Sequence, residues 1–234
     1  MRILAFETSA KAASVALLHD GVLLGEYMQN SGQTHSRTIM QMAQDLLRNC
    51  DLTVHDMDAA ACAAGPGSFT GVRIGLAAAK GFAWGRQIPL VGVSTLAAMA
   101  KNAAVAEGIY CAVMDARRNQ VYTALFEVEN GTFKRLSDDS AISVEELGQQ
   151  LAAFEKTKFL VGDGAALCYN KLGSTDAKLV LMPEHLRMQR AAGVALLAWE
   201  QLQSGAVIPA GELTPNYLRL SQAERERMKK LEME

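Results

Sequence analysis

Two carboxylates close apolar runs of the sequence, Glu7 after ILAF and Asp115 after YCAVM, and a third, Asp163, sits between Gly162 and Gly164. A carboxylate at a strand end can hold a metal–nucleotide when neighbouring glycines let backbone N–H groups wrap a phosphate. The residues that follow here are Thr8-Ser9-Ala10 and Ala116-Arg117-Arg118, without glycine. Glu7 and Asp115 are therefore weak nucleotide candidates, and turn capping or a salt bridge is the simpler reading. Gly162, Asp163 and Gly164 read either as a seat for an adenosine or as a turn of the chain.

The other glycine-rich segment, AAGPGSFTGVRIGLAAAKG over 63–81, opens as a turn and runs on as a helix. A phosphate loop needs Gly-x4-Gly-Lys-Ser/Thr, but Gly71 follows Gly67 one residue too early and Val72-Arg73 stands where Lys-Ser/Thr is required. The dinucleotide pattern fails at Thr70. No Gly-x-Ser-x-Gly elbow is present, and His19, His35, His55 and His185 lack metal-ligand spacing. His35 reads as a cap-region or interface residue.

The helix offers a different use. Val72, Leu76, Ala79 and Ala83 form one apolar stripe, and Ile74, Ala78 and Phe82 a second. Gly67, Gly71, Gly75 and Ala79 recur every fourth residue, a spacing that lets another backbone approach closely. The segment 35–50 is similarly rich, with Ile39, Met40, Ala43, Leu46 and Leu47. Two such helices suggest a helix-on-helix protein interface, in competition with simple filling of the domain's own core.

The elements that position these groups recur. Strands at 2–7, 14–19 and 22–28, a helix at 35–50, a strand at 57–63, a helix at 68–86, a strand at 89–93 and a helix at 94–107 are followed by the same order. The second series is strands at 109–115, 120–127 and 132–136, a helix at 143–154, a strand at 158–162, a helix at 165–172, a strand at 178–182 and a helix at 188–203. Two copies of β-β-β-α-β-α-β-α predict a duplicated α/β fold, with an N-terminal lobe over 1–107, a C-terminal lobe over 108–220 and a charged tail over 221–234. With 234 residues, 50% hydrophobic content and a net charge of -2, the chain can bury a sizeable core. That charge argues against a protein whose main business is gripping nucleic acid. Four dispersed cysteines and the absence of a signal peptide or membrane span lead us to expect a soluble, cytoplasmic protein.

The segments FETS (6–9), THSRTIM (34–40), GPGSFTGVRIGLAAAKG (65–81), VSTLAAM (93–99), MDARRNQVY (114–122) and PNYLR (215–219) together resemble the TsaB (YeaZ) family, in order along the whole chain. The resemblance implies the duplicated fold of actin-like ATPases and sugar kinases (ribonuclease H-like). It also implies a role in making threonylcarbamoyladenosine in tRNA, as the non-catalytic partner of a TsaD-like catalytic subunit. The TsaD relatives carry an Asn-His-x-x-x-His metal segment. Here Thr95 and Met99 stand at the two histidine positions, and a hydroxyl with a thioether holds a divalent ion poorly.

The resemblance thus implies no intrinsic cofactor or metal, with ATP used by the wider complex. Its expected partners are the TsaD-like subunit, a TsaE-like ATPase and tRNA only through the complex, with a homodimer when the chain is alone. Its expected interface comprises His35, Ile39, Met40, Leu47, Gly67, Phe69, Gly71, Ile74, Gly75, Ala78, Ala79 and Phe82. The alternatives are a small-molecule kinase or ATPase of the same superfamily and a glycoprotease-type metallopeptidase.

Overall fold

The computed structural model describes residues 1–205 and 211–219; the expected charged tail lies outside them. The first half runs β1 (Arg2–Glu7), β2 (Ala13–His19), β3 (Val22–Gln29), α1 (His35–Asn49), a 3-10 turn at Val54–Asp56, β4 (Ala59–Gly65), α2 (Phe69–Arg86), β5 (Leu90–Ser94) and α3 (Thr95–Ala103). The second runs β6 (Gly108–Asp115), β7 (Gln120–Glu129), β8 (Thr132–Arg135), β9 (Ser140–Ser143), α4 (Val144–Ala152), β10 (Lys158–Val161), α5 (Ala165–Leu172), β11 (Leu179–Leu181), α6 (Glu184–Arg187) and α7 (Ala191–Gln203).

The two sheets have matching orders, β3-β2-β1-β4-β5 and β8-β7-β6-β10-β11, with β9 added alongside β7. In each, three strands meander antiparallel and two join in parallel through helical crossovers. The meanders turn at Asp20-Gly21 (φ 48° and 80°) and Asn130-Gly131 (φ 49° and 73°), left-handed pairs that match strand twist. This is the duplicated actin-like, ribonuclease H-like fold that the resemblance implied. The strand β9 and the short helix α6 were not anticipated, and α3 stops at Ala103 rather than near 107.

A second departure concerns which helix covers which sheet. α3 packs on β6 and β7 of the second sheet, whereas α7 packs on β1, β2, β4 and β5 of the first. The last helix of each half is thus exchanged across the molecule. Where the two cross, a Cβ on Gly193 would fall 2.1 Å from the Ala98 carbonyl oxygen, so only glycine admits the crossing. α7 also borrows its N-cap from the other half. Ala192 N donates to Glu26 Oε1 (3.0 Å), Ala191 N donates to Ser14 Oγ (3.1 Å), and Arg190 pairs with Glu26 Oε2.

Candidate functional site: the outer helix face and the cleft between the lobes

Residues Ala59–Gly65 form a fully buried strand of small side chains, and the chain leaves it through the glycine turn into α2. Ser68 caps that helix, its Oγ accepting from Gly71 N (3.3 Å). The glycines after it are not free for a partner. A Cβ on Gly67 would lie 2.5 Å from Ser9 O, on Gly71 2.1 Å from Thr8 O, and on Gly75 2.4 Å from Thr8 Oγ1. They are small because the loop after β1 presses against them, and Thr8 Oγ1 donates to Gly71 O (2.7 Å).

This corrects the expectation that the Gly67, Gly71, Gly75 and Ala79 stripe admits a partner helix. Ala79, Ile39 and Leu47 likewise lie in the chain's own core, together with Phe82, which is 9% exposed. His35 is half-buried, and its Nε2 lies 2.8 Å from Ala10 O, which fastens the start of α1 to the same loop.

What does face outward on α2 is a stripe one register away. Ala77, Gly81 and Gly85 are exposed, and a Cβ on either glycine would meet nothing within 4 Å. Trp84 is 79% exposed beside them, Met40 of α1 is 40% exposed, and Ile74, Ala78 and Phe69 are half-buried. An exposed indole next to bare glycines is the kind of surface on which protein interfaces form. Sequence spacing did not single out Ala77, Gly81, Trp84 and Gly85. The signal available was that an unpaired Trp interrupts the small-residue stretch.

The second feature is a cleft of about 560 Å³ between the lobes, lined by Ser9, Lys11, Gly67, Phe69, Asp115, Arg117, Asp163 and Arg219, among others. The structure therefore brings Asp115 and Asp163 together. Gly162 and Gly164 instead serve the chain itself. Gly162 has φ 105°, and a Cβ there would lie 2.0 Å from Val113 O, while one on Gly164 would lie 3.0 Å from Asp115 N. Asp163 accepts from Gln189 Nε2 (3.1 Å). Its carboxyl is raised because the cleft walls crowd it, although water still reaches it.

Glu7 lies behind the cleft, fully buried, with Oε1 accepting from Ser9 N (2.6 Å). Desolvation lifts its pKa to about 7, against the opposing hydrogen bonds from Ser9 and Thr8. Thr95 and Met99 are also in the core, at 0% and 1% exposure, and the Met99 Cε contacts the space a Cβ on Gly162 would fill. Cys62, Cys111 and Cys168 are free thiols, each pushed up to about 12 by burial, so none offers a thiolate for chemistry near neutral pH. Among the described residues no helix is long and apolar enough to cross a membrane.

A strap formed by residues 211–219 crosses the mouth of the cleft. Asn216 N donates to Ala64 O (2.7 Å), and Tyr217 stacks on Phe69 with ring centroids 3.9 Å apart. Arg73 Nε donates to Tyr217 Oη (2.7 Å), and Arg219 Nη1 reaches Ala116 O in the other lobe (2.6 Å). The PNYLR segment is therefore a tie between lobes, a role that no spacing in the sequence disclosed.

Comparison with known proteins follows these features. Residues 27–227 match the family model described as TsaD, tRNA N6-adenosine threonylcarbamoyltransferase. The chain is 31% identical to the tRNA threonylcarbamoyladenosine biosynthesis protein TsaB of Bacillus subtilis, with 96% of each chain covered. It is 33% identical to the Escherichia coli TsaB protein over 94% of this chain and 95% of that one. Among solved structures, YeaZ from Pseudomonas aeruginosa superposes with a TM-score of 0.80 at 28% identity, covering 93% of this chain and 99% of that one. With near-complete coverage at this identity, and with the fold matched along its length, the chain belongs to the TsaB family.

Proposed function

We propose that this chain is the non-catalytic subunit that enables threonylcarbamoyl transfer to the tRNA adenosine next to the anticodon, by pairing with a TsaD-like catalytic subunit through the outer face of α1 and α2. The observation that carries the reading is the exposed strip of Ala77, Gly81, Trp84 and Gly85 on a helix whose opposite side is part of the core. A thin strip flanked by one large aromatic lets a partner helix lie close while the indole fills a pocket on it. The same face would join two copies when the catalytic subunit is absent. The Thr95 and Met99 pair supports a non-catalytic role, since neither is a good divalent-metal ligand and both are packed in the core. A TsaE-like ATPase would supply the ATP step in the wider complex, and the chain would work in the cytoplasm without a cofactor of its own.

Gly81→Arg fills the strip without touching the chain's own core. It should abolish pairing with the TsaD-like subunit in size-exclusion and calorimetric assays while leaving thermal unfolding unchanged. Trp84→Ala should weaken pairing by about 30-fold, corresponding to roughly 2 kcal/mol. Normal pairing of both variants would place the interface elsewhere. The kinase or ATPase reading has the cleft in its favour, but the glycines near it are occupied in turning the chain and the loop after β1 has none.

A further inference from the structure

The β6–β7 loop has an unusual backbone. Arg117, Arg118 and Asn119 are consecutive non-glycine residues with φ 63°, 55° and 61°, a left-handed run that costs energy at every position. The surroundings hold it in place. Asp115 Oδ1 accepts from Arg117 N (2.7 Å), Ala116 N donates to Gln120 O (3.0 Å), and Gln120 N donates to Arg117 O (3.2 Å). Asn119 is fixed by Glu145 and Lys171, and the strap's Arg219 grips Ala116 O.

The result is that Arg117, at the mouth of the cleft, and Arg118 next to it are both exposed, and among the described residues neither forms an ion pair. Lys11 and Arg219 line the same opening. Asp115 and Asp163 also face it, but Asp115 is engaged by the Arg117 amide and Asp163 by Gln189. The tip of the loop therefore presents two guanidinium groups that have no carboxylate partner among the described residues, on a chain whose net charge is -2.

We infer that Arg117 and Arg118 are a phosphate-contacting pair for the backbone of RNA. Guanidinium forks match phosphate oxygens and need no base sequence, and a local pair suits a subunit that shares the RNA with a partner. The inference rests on the proposed role in tRNA modification, because that role brings RNA to the complex. It adds that this chain itself touches the RNA.

The experiment measures binding of unmodified tRNA to the assembled complex by fluorescence anisotropy between 50 and 300 mM NaCl, with assembly checked independently by size exclusion. R117A/R118A should weaken binding by about ten-fold at physiological salt and flatten the slope of log K against log salt by about 1 to 2. R117K/R118K keeps the charge and should restore most of both. Assembly intact with an unchanged slope would overturn the inference. So would loss of inorganic phosphate or ADP binding by the isolated chain with tRNA binding unaffected, since the loop would then serve a free phosphate. If the complex does not assemble even with the unaltered chain, the pairing reading fails. The same titration on the isolated chain then decides the loop: a slope lowered by R117A/R118A sustains RNA contact, and no change refutes it.

Discussion

Glu7 carries the clearest single-residue consequence. Burial lifts its folded pKa to about 7 from the ordinary 4.5, so between those values the native protein holds a proton that the unfolded chain has released. The stability that goes with the neutral carboxyl is complete below about pH 4.5 and is lost as pH rises through 7. Glu7→Gln preserves the acceptor for Ser9 N and cannot ionise. Urea unfolding should find it more stable than the parent by ~3 kcal/mol at pH 8, with the difference vanishing near pH 4. An equal difference at both pH values would contradict the assignment. The sequence marked Glu7 as a strand-end carboxylate but not as a buried one, because burial comes from the loop and lobe that close over it. The same limit explains the glycines of α2. Four-residue spacing shows which side of a helix is thin, but not whether Thr8 or another protein lies against it.

At the scale of elements, apolar runs, turn dipeptides and capping residues disclosed most of the strands and helices. A capping box of Ser143 and Glu146, three residues apart, opens α4. The exchange of α3 and α7 between sheets was not legible, because an amphipathic helix records that it is buried and not on which sheet. The exchange has its own chemical fastening in Glu26, which is nearly buried, caps α7 and neutralises Arg190. Glu26→Ala removes the cap and leaves the arginine without its partner. It should cost about 2–4 kcal/mol in thermal or urea unfolding. The loss should be accompanied by faster hydrogen exchange along α7, with α4 and α5 unaffected. A loss spread evenly over both lobes would show that the cap is not what seats the helix.

For the whole molecule, the duplicated sheets, the exchanged helices and the strap make one body with an internal cleft and one apolar helix face turned outward. In the proposed reading the outward helix face meets the partner, and Thr95 and Met99 are packed in the core. The two-copy pattern was visible because each copy repeats strand, turn and helix signals in order. The strap was not, since a tie between lobes leaves no period in the sequence. The central claim, that the chain is needed by a catalytic subunit without doing the chemistry, is tested most directly by reconstituting threonylcarbamoyl transfer to tRNA with purified components. The account predicts that omitting this chain abolishes modification, and that adding it alone to tRNA and threonylcarbamoyl-adenylate produces none. Undiminished modification in its absence, or modification by this chain alone, would contradict it.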